Sequence, residues 1–198
     1  MRVLRLEPQR AELWDGPSSA AVAAFEVTRK LPAYERGAIL RNVSAGIRAR
    51  RDELGALLSR EAGKPIRDAL AEVDRAVLTF RLGAEEAERL YGEVIPLDIN
   101  PASKDRVGIV RRFPIGPIAG ISPFNFPLNL AAHKVAPAIA SGNPIVLKPP
   151  SKDPLTMLTV AEIIEEADSI IWASCGLHPE KYANVDIDVE YYGEDSDA

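Results

Sequence analysis

The sequence predicts an α/β fold in which N-terminal helices and a β-ribbon lead into a small, Rossmann-like parallel sheet. Helical spacing of apolar residues continues from about residue 20 to residue 91. Two short β-rich runs around a polar turn come next. From Ile115 onward, short apolar runs alternate with helical patterns, which is typical of strand-helix-strand units with parallel strands.

Four helices are predicted before the ribbon, over 20–30, from about 32, over 52–63 and over 65–91. Pro32 and Pro65 suit first turns of helices, whereas Gly63 suits a helix end. The fourth helix has the longest apolar stripe. This stripe comprises Ile66, Leu70, Val73, Val77, Phe80 and Ala84.

The two β-rich runs, 93–97 and 106–113, flank the polar turn Asn100-Pro101-Ala102-Ser103. This pattern predicts a pair of strands that form a projecting ribbon or a sheet edge. The α/β part is predicted as strand 118–121, helix 127–140, strand 144–147 and helix 155–167. Ligands bind such sheets beyond the carboxyl ends of the strands, where segments 122–126 and 148–151 fall.

Composition excludes several classes of function. The net charge of −5 with mixed signs gives no nucleic-acid footprint, and a single cysteine excludes an internal disulfide. The sequence contains neither an apolar run of membrane-spanning length nor an N-terminal apolar signal region, so we expect a cytoplasmic protein without a membrane partner. After residue 167 the net charge is −7, against +2 before it, which predicts a boundary there.

Two polar side chains at the predicted strand ends have alternative interpretations. Asn125 lies between aromatic residues in a loop that two prolines stiffen. It is either a helix cap or turn residue, or an amide that donates to a developing oxyanion. Lys148, followed by two prolines and Ser151, is either a solvated turn lysine or a cation that addresses ribose hydroxyls or a phosphate.

Three motifs in order give the chain a recognisable pattern. They are the stretch from Phe113 to Leu128 (FPIGPIAGISPFNFPL), the stretch from Lys134 to Asn143 (KVAPAIASGN), and Val146-Leu147-Lys148-Pro149. Together with Glu61-Ala62-Gly63-Lys64-Pro65 and Ala71-Glu72-Val73, they resemble the aldehyde dehydrogenase superfamily. The resemblance covers roughly residues 20–167.

The resemblance implies a role for each matching residue. Asn125 matches the catalytic amide of the oxyanion hole, and Lys148 matches the lysine that binds the adenosine ribose. Ser151 stands where many NAD-preferring members have a glutamate. The residues matching the cofactor-binding set are Ile121, Ser122, Pro123, Phe124, Lys148 and Ser151. No metal site is implied.

The cofactor implied is NAD or NADP. A glutamate at the position of Ser151 would repel a 2′-phosphate, so the serine predicts that the parent enzyme tolerates or prefers NADP. The substrate implied is a small-molecule aldehyde. The phenylalanine at position 124 makes the sequence similar to the lactaldehyde and non-phosphorylating glyceraldehyde-phosphate branches of the family. The ribbon partly matches the one that family members use to form homo-oligomers.

The same resemblance divides the chain into three parts: an N-terminal helical region with the ribbon (1–114), a partial dinucleotide-binding α/β unit (115–167), and an acidic tail without family character (168–198). The family's mechanism needs a cysteine nucleophile, a glutamate base and a pyrophosphate loop. In other family members, all three lie beyond the point that corresponds to the end of the resemblance here.

Cys175 is a poor substitute nucleophile, because neither its sequence context nor its early position matches the family's cysteine. Cys175 and His178 are two ligands at metal-binding spacing, which alone do not make a site, and His133 is expected to be a packing or surface residue. A strand is expected around Val185 to Glu190. Two hypotheses follow: a truncated aldehyde dehydrogenase that is inactive alone, or a non-catalytic module that binds a dinucleotide or a protein.

Overall fold

The computed structural model describes residues 15–167. Within that range, the predicted α/β class is confirmed: six α-helices and four strands follow one another in the expected order. Cys175, His178 and the strand expected around Val185 lie outside the described residues.

Four helices form the N-terminal part. They are α1 (Asp15–Thr28), α2 (Ala33–Ala49), α3 (Arg51–Ala62) and α4 (Ile66–Ala87). Gly63 ends α3 at φ 64°, a left-handed conformation that glycine adopts without strain. Pro32 and Pro65 immediately precede the first residues of α2 and α4, so the predicted helix starts are confirmed to within a residue.

Two details of the predicted α4 are wrong. The helix ends at Ala87, which is the last buried residue of its stripe, while Tyr91 is 70% exposed. Ile66 was expected to point inward but is half-exposed, because it is the first residue of α4 and the buried stripe begins at Ala69.

The ribbon consists of β1 (Glu93–Pro96) and β2 (Val107–Val110), which pair antiparallel. The turn between them contains a short 3-10 helix, Pro101–Ser103, and the Asn100 side chain accepts a hydrogen bond from the Ser103 amide at 3.1 Å. Both strands are largely exposed, as expected for a projecting ribbon.

The second sheet is a parallel pair, β3 (Ile118–Ile121) and β4 (Ile145–Lys148), joined through α5 (Pro127–Ala140). Helix α6 (Leu155–Ala167) follows β4. Asn143, between α5 and β4, is buried, and its Oδ1 accepts from the amides of Ile115 and Gly116 at 2.7 and 3.0 Å. These bonds hold the segment before β3 against the segment before β4.

An extended apolar core within residues 15–167 joins the N-terminal helices to this α/β unit. Helix α4 lies at its centre and packs against α2, α3 and α5, while α6 covers α2 and α3. The largest wholly buried side chains include Phe80 and Leu40 on the helices and Ile145 on β4. No helix within residues 15–167 combines the length and apolar character needed to cross a membrane.

Candidate cofactor and oxyanion site

The parallel register brings the two predicted ligand segments to one edge. Ile118 pairs with Ile145 and Ile121 with Lys148, so both strands end at the same level. The Ser122 amide extends this register by donating to the Lys148 carbonyl at 3.1 Å. The loop 122–126 and the segment 148–151 are therefore neighbours in space, although the chain between them includes all of α5.

The sequence predicted that Lys148 follows the strand, but Lys148 is the last residue of β4. Its side chain is exposed, and its Nζ donates to the Ser151 hydroxyl at 3.0 Å. Lys152 Nζ lies 5.1 Å from the ring centroid of Phe124, which links the two segments through a cation–π contact. The Lys148 ammonium and the Ser151 hydroxyl therefore lie next to each other at the end of β4.

The loop that carries Asn125 is anchored at its ends and exposed in its middle. Ser122 is buried, and its hydroxyl donates to the Pro127 carbonyl at 3.4 Å. Phe124 and Asn125 are exposed. Phe126, which makes no side-chain cap hydrogen bond, occupies the N-cap of α5, so the interpretation of Asn125 as the helix cap is wrong.

The cap of α5 comes instead from Glu72, a wholly buried carboxylate on α4. Its Oε1 accepts from the amides of Leu128 and Asn129, both at 3.1 Å. Its Oε2 lies 2.6 Å from Lys64 Nζ. A negative charge stabilises the first turn of a helix, where backbone amides lack intrahelical partners.

Glu61 does the same for α6. Its two carboxylate oxygens accept from the amides of Leu155 and Thr156, at 2.8 and 2.9 Å. Both helices of the α/β unit therefore begin on a carboxylate that is supplied by the N-terminal helices. The sequence singled out Glu61, Lys64 and Glu72 only as matching family motifs, without a role.

A signal for Glu72 was nevertheless present. Counted at helical spacing, it falls on the apolar stripe of α4 between Ala69 and Ala76, all of which are buried. A carboxylate on a buried stripe requires a partner, because an isolated buried charge is strongly unfavourable. Which partner it finds could not be read from the spacing.

Asp153, just after the 148–151 segment, lies within electrostatic range of Glu61, Lys64 and Glu72. It is buried, and the pKa of its carboxyl is raised to about 6, first by burial and next by the charge of Glu61. Lys64 opposes this rise, and Glu72 adds to it. Within the described residues, its Oδ1 has no hydrogen-bond partner. The ionised form of Asp153 is therefore disfavoured in the folded protein.

We expect Asp153 to make the folded state less stable as the pH rises from about 4 to about 6, because the folded state retains the proton that the unfolded chain releases. A pKa of about 6 against the ordinary 3.8 corresponds to a loss of stability on the order of 3 kcal/mol across this pH range. Asp153→Asn should remove this dependence and stabilise the protein at neutral pH.

Denaturant unfolding of wild type and variant across this pH range measures the difference between them. The exposed Asp98→Asn is the control and should follow the wild-type profile. Parallel profiles for wild type and Asp153→Asn would contradict the prediction.

Comparison with known proteins decides the family. The family model described as "Aldehyde dehydrogenase family" matches residues 6–170, most of the chain. The chain belongs to the aldehyde dehydrogenase family. The resemblance found in the sequence motifs is thereby confirmed.

Curated relatives of this aldehyde dehydrogenase chain include the lactaldehyde dehydrogenase of Methanocaldococcus jannaschii. It is 47% identical over 142 residues, covering 72% of this chain and 29% of the relative. The 3-sulfolactaldehyde dehydrogenase of Priestia aryabhattai is 42% identical over 134 residues, covering 68% of this chain and 28% of that protein. The chain thus spans less than a third of the length of these relatives.

Solved structures of the family match the fold. Aldehyde dehydrogenase 21 from Physcomitrella patens, in complex with the reaction product succinate, has a TM-score of 0.76 and 49% identity, covering 82% of this chain and 33% of that one. Glyceraldehyde-3-phosphate dehydrogenase from Methanocaldococcus jannaschii, complexed with NADP, has a TM-score of 0.75 and 40% identity, covering 89% and 37%.

Proposed function

We propose that this chain contributes the cofactor-side part of an NAD(P)-dependent dehydrogenase that oxidises a small aldehyde to a carboxylic acid. The observation that carries the proposal is the common edge of β3 and β4, where Lys148, Ser151 and the Asn125 loop meet. Carboxyl ends of parallel strands are where α/β proteins bind dinucleotides. The lactaldehyde and sulfolactaldehyde relatives favour a small hydroxylated aldehyde as the substrate.

The side chains at this edge fit a dinucleotide. Lys148 and Ser151 offer an exposed cation and a hydroxyl 3.0 Å apart, which suit ribose hydroxyls or a phosphate. Ile121, Ser122, Pro123 and Phe124 would lie along the nicotinamide half. When bound, the nicotinamide would supply the hydride acceptor for aldehyde oxidation. Lys148 and Ser151 would bind and orient the cofactor.

Asn125 is the proposed oxyanion donor. Its side-chain amide is exposed at the rim of the same edge, and an amide N–H there can donate to the aldehyde oxygen as that oxygen gains negative charge. Among the residues that the structure describes at this edge, none corresponds to the family's thiolate nucleophile or carboxylate base. We therefore infer that the 198-residue chain by itself does not oxidise aldehydes.

The exposed ribbon is the proposed oligomerisation element. Val94, Ile99 and Ile109 are 74%, 84% and 73% exposed, an apolar surface that is costly to leave in water. A second copy of the chain is the proposed occupant, as a homo-oligomer. The division of the chain at residues 114 and 167 remains part of the same proposal.

The proposed cofactor edge predicts a preference that binding experiments measure. The chain should bind NADP at least as tightly as NAD, because a lysine and a serine, with no carboxylate at the Ser151 position, would face a 2′-phosphate. Ser151→Glu should weaken NADP binding by roughly tenfold or more through like-charge repulsion, about 1.4 kcal/mol, while leaving NAD binding intact. Fluorescence titration with NADPH and NADH gives both dissociation constants.

Ala102→Glu, which adds the same charge at the distant ribbon turn, is the matched control and should leave both constants unchanged. A strong NAD preference in the wild type would contradict the NADP assignment, and absence of binding to either nucleotide would contradict the proposed cofactor site at this edge.

A separate activity assay tests the inference that the chain is inactive alone. Aldehyde-dependent NAD(P)H formation by the chain that is lost in Cys175→Ser would overturn it. Cofactor binding without turnover would favour the dinucleotide-binding module.

A further inference from the structure

We propose that Lys64 and Glu72 are positioning residues that fix the Asn125 loop, so that the Asn125 amide projects from an immobile backbone. The inference rests on the proposed function, in which Asn125 donates to the substrate oxygen. It assigns a task to two residues from α4 and the turn before it, both far from Asn125 in sequence.

The first step is that Glu72 determines where α5 begins. Its Oε1 binds the amides of Leu128 and Asn129, which are the second and third residues of the helix that follows the loop. Because Phe126 at the N-cap makes no side-chain cap hydrogen bond, Glu72 supplies the cap from 56 residues earlier in the chain. The end of the loop is thereby attached to α4, the central helix of the core.

The second step is that Lys64 reaches the loop itself. Its Nζ lies 2.6 Å from Glu72 Oε2 and donates to the Asn125 carbonyl at 3.3 Å. The same ammonium lies 4.9 Å from the centroid of the Phe126 ring. One cation therefore contacts the buried carboxylate, the Asn125 backbone and the neighbouring aromatic ring.

The third step concerns the Phe126 ring, which makes a cation–π contact with a second positively charged side chain. The Arg75 guanidinium lies 5.4 Å from the ring centroid, so Lys64 and Arg75 both hold the residue that follows Asn125. Asn125 is then fixed on its carboxyl side by Phe126 and at its own carbonyl by Lys64. An oxyanion donor needs such fixation, because a misplacement of about 1 Å greatly reduces transition-state stabilisation.

Glu61 provides a matched comparison. It caps α6 with the same chemistry, two backbone amides on one carboxylate, but its contacts are at Leu155 and Thr156 and not at the Asn125 loop. A merely structural contribution would be shared by both caps. A positioning role predicts that only the Lys64–Glu72 pair controls the mobility of Asn125.

The test is NMR relaxation of the full 198-residue chain, read at the Asn125 backbone and side-chain amides. In wild type the Asn125 backbone order parameter should be near the rigid value of about 0.85, and in Lys64→Met it should fall below about 0.6. The Asn125 side-chain amide resonance should shift, and the amides of Leu128 and Asn129 should exchange about tenfold faster. Lys64→Arg, which keeps the charge and the donors, should restore wild-type values.

Glu72→Gln is the second variant, and it retains an oxygen that can accept from both helix amides while removing the charge that holds Lys64. It should therefore mobilise Asn125 even if Lys64→Met proves too unstable to study. Glu61→Gln should leave Asn125 rigid. An Asn125 that is mobile in wild type, or equally rigid in Lys64→Met and Glu72→Gln, overturns the proposal, as does equal mobilisation by Glu61→Gln. Asn125 that is mobilised only by the Lys64 and Glu72 variants supports the positioning role even in a chain that binds neither NAD nor NADP, which would sink the proposed function alone.

Discussion

Replacing Glu72 with alanine is expected to lower the free energy of unfolding by about 3–5 kcal/mol. The variant leaves the Lys64 ammonium, whose side chain is only 16% exposed, without its carboxylate partner. It also leaves the amides of Leu128 and Asn129 without their acceptor at the start of α5. Each of these losses is costly because the groups are shielded from water and cannot be rehydrated without opening the structure.

Equilibrium denaturation with urea measures this change. Asp74→Ala is the matched control, because Asp74 lies on the same helix and forms two hydrogen bonds with Arg51, but at the surface. Its loss should cost less than about 1 kcal/mol. Equal destabilisation by the two variants would show that burial of the Glu72 carboxylate does not make the difference.

Phe80→Ala should destabilise the protein by a similar amount, about 3–5 kcal/mol. Phe80 is wholly buried on α4 and belongs to the core that joins the N-terminal helices to the α/β unit. Removing the ring loses its burial and leaves a cavity that the surrounding helices only partly fill, because helix backbones restrict how far the core can collapse.

The same denaturation experiment with Leu82→Ala is the control for Phe80→Ala. Leu82 lies on the same helix but is 44% exposed, so its replacement should cost no more than about 1 kcal/mol. If Phe80→Ala were no more destabilising than Leu82→Ala, the core as described would be wrong at its centre.

Most element positions could be predicted from sequence because they depend on neighbours along the chain. The periodicity of α2 through α4, the left-handed Gly63 and the prolines before α2 and α4 each act within a few residues. The errors fall at ends, such as Ile66 and the residues after Ala87, where local propensity continues but packing does not.

The candidate site divides in the same way. The sequence located Lys148, Ser151 and Asn125 at strand ends, since strand limits and connecting loops are local features. It did not predict that Lys148 Nζ donates to Ser151, or that Asn125 leaves the cap of α5 to another residue. Those outcomes depend on the register of two strands and on the residues that approach from outside the loop.

By itself, then, the sequence determined the α/β class, the order of the elements and the family to which the chain belongs. Only the tertiary structure decided that Glu61 and Glu72 begin α6 and α5, across separations of 94 and 56 residues. The physical reason is that a carboxylate on a helix has several possible partners. Which of them it binds is set by the packing of α4 against α5, and of α3 against α6, which no local pattern specifies.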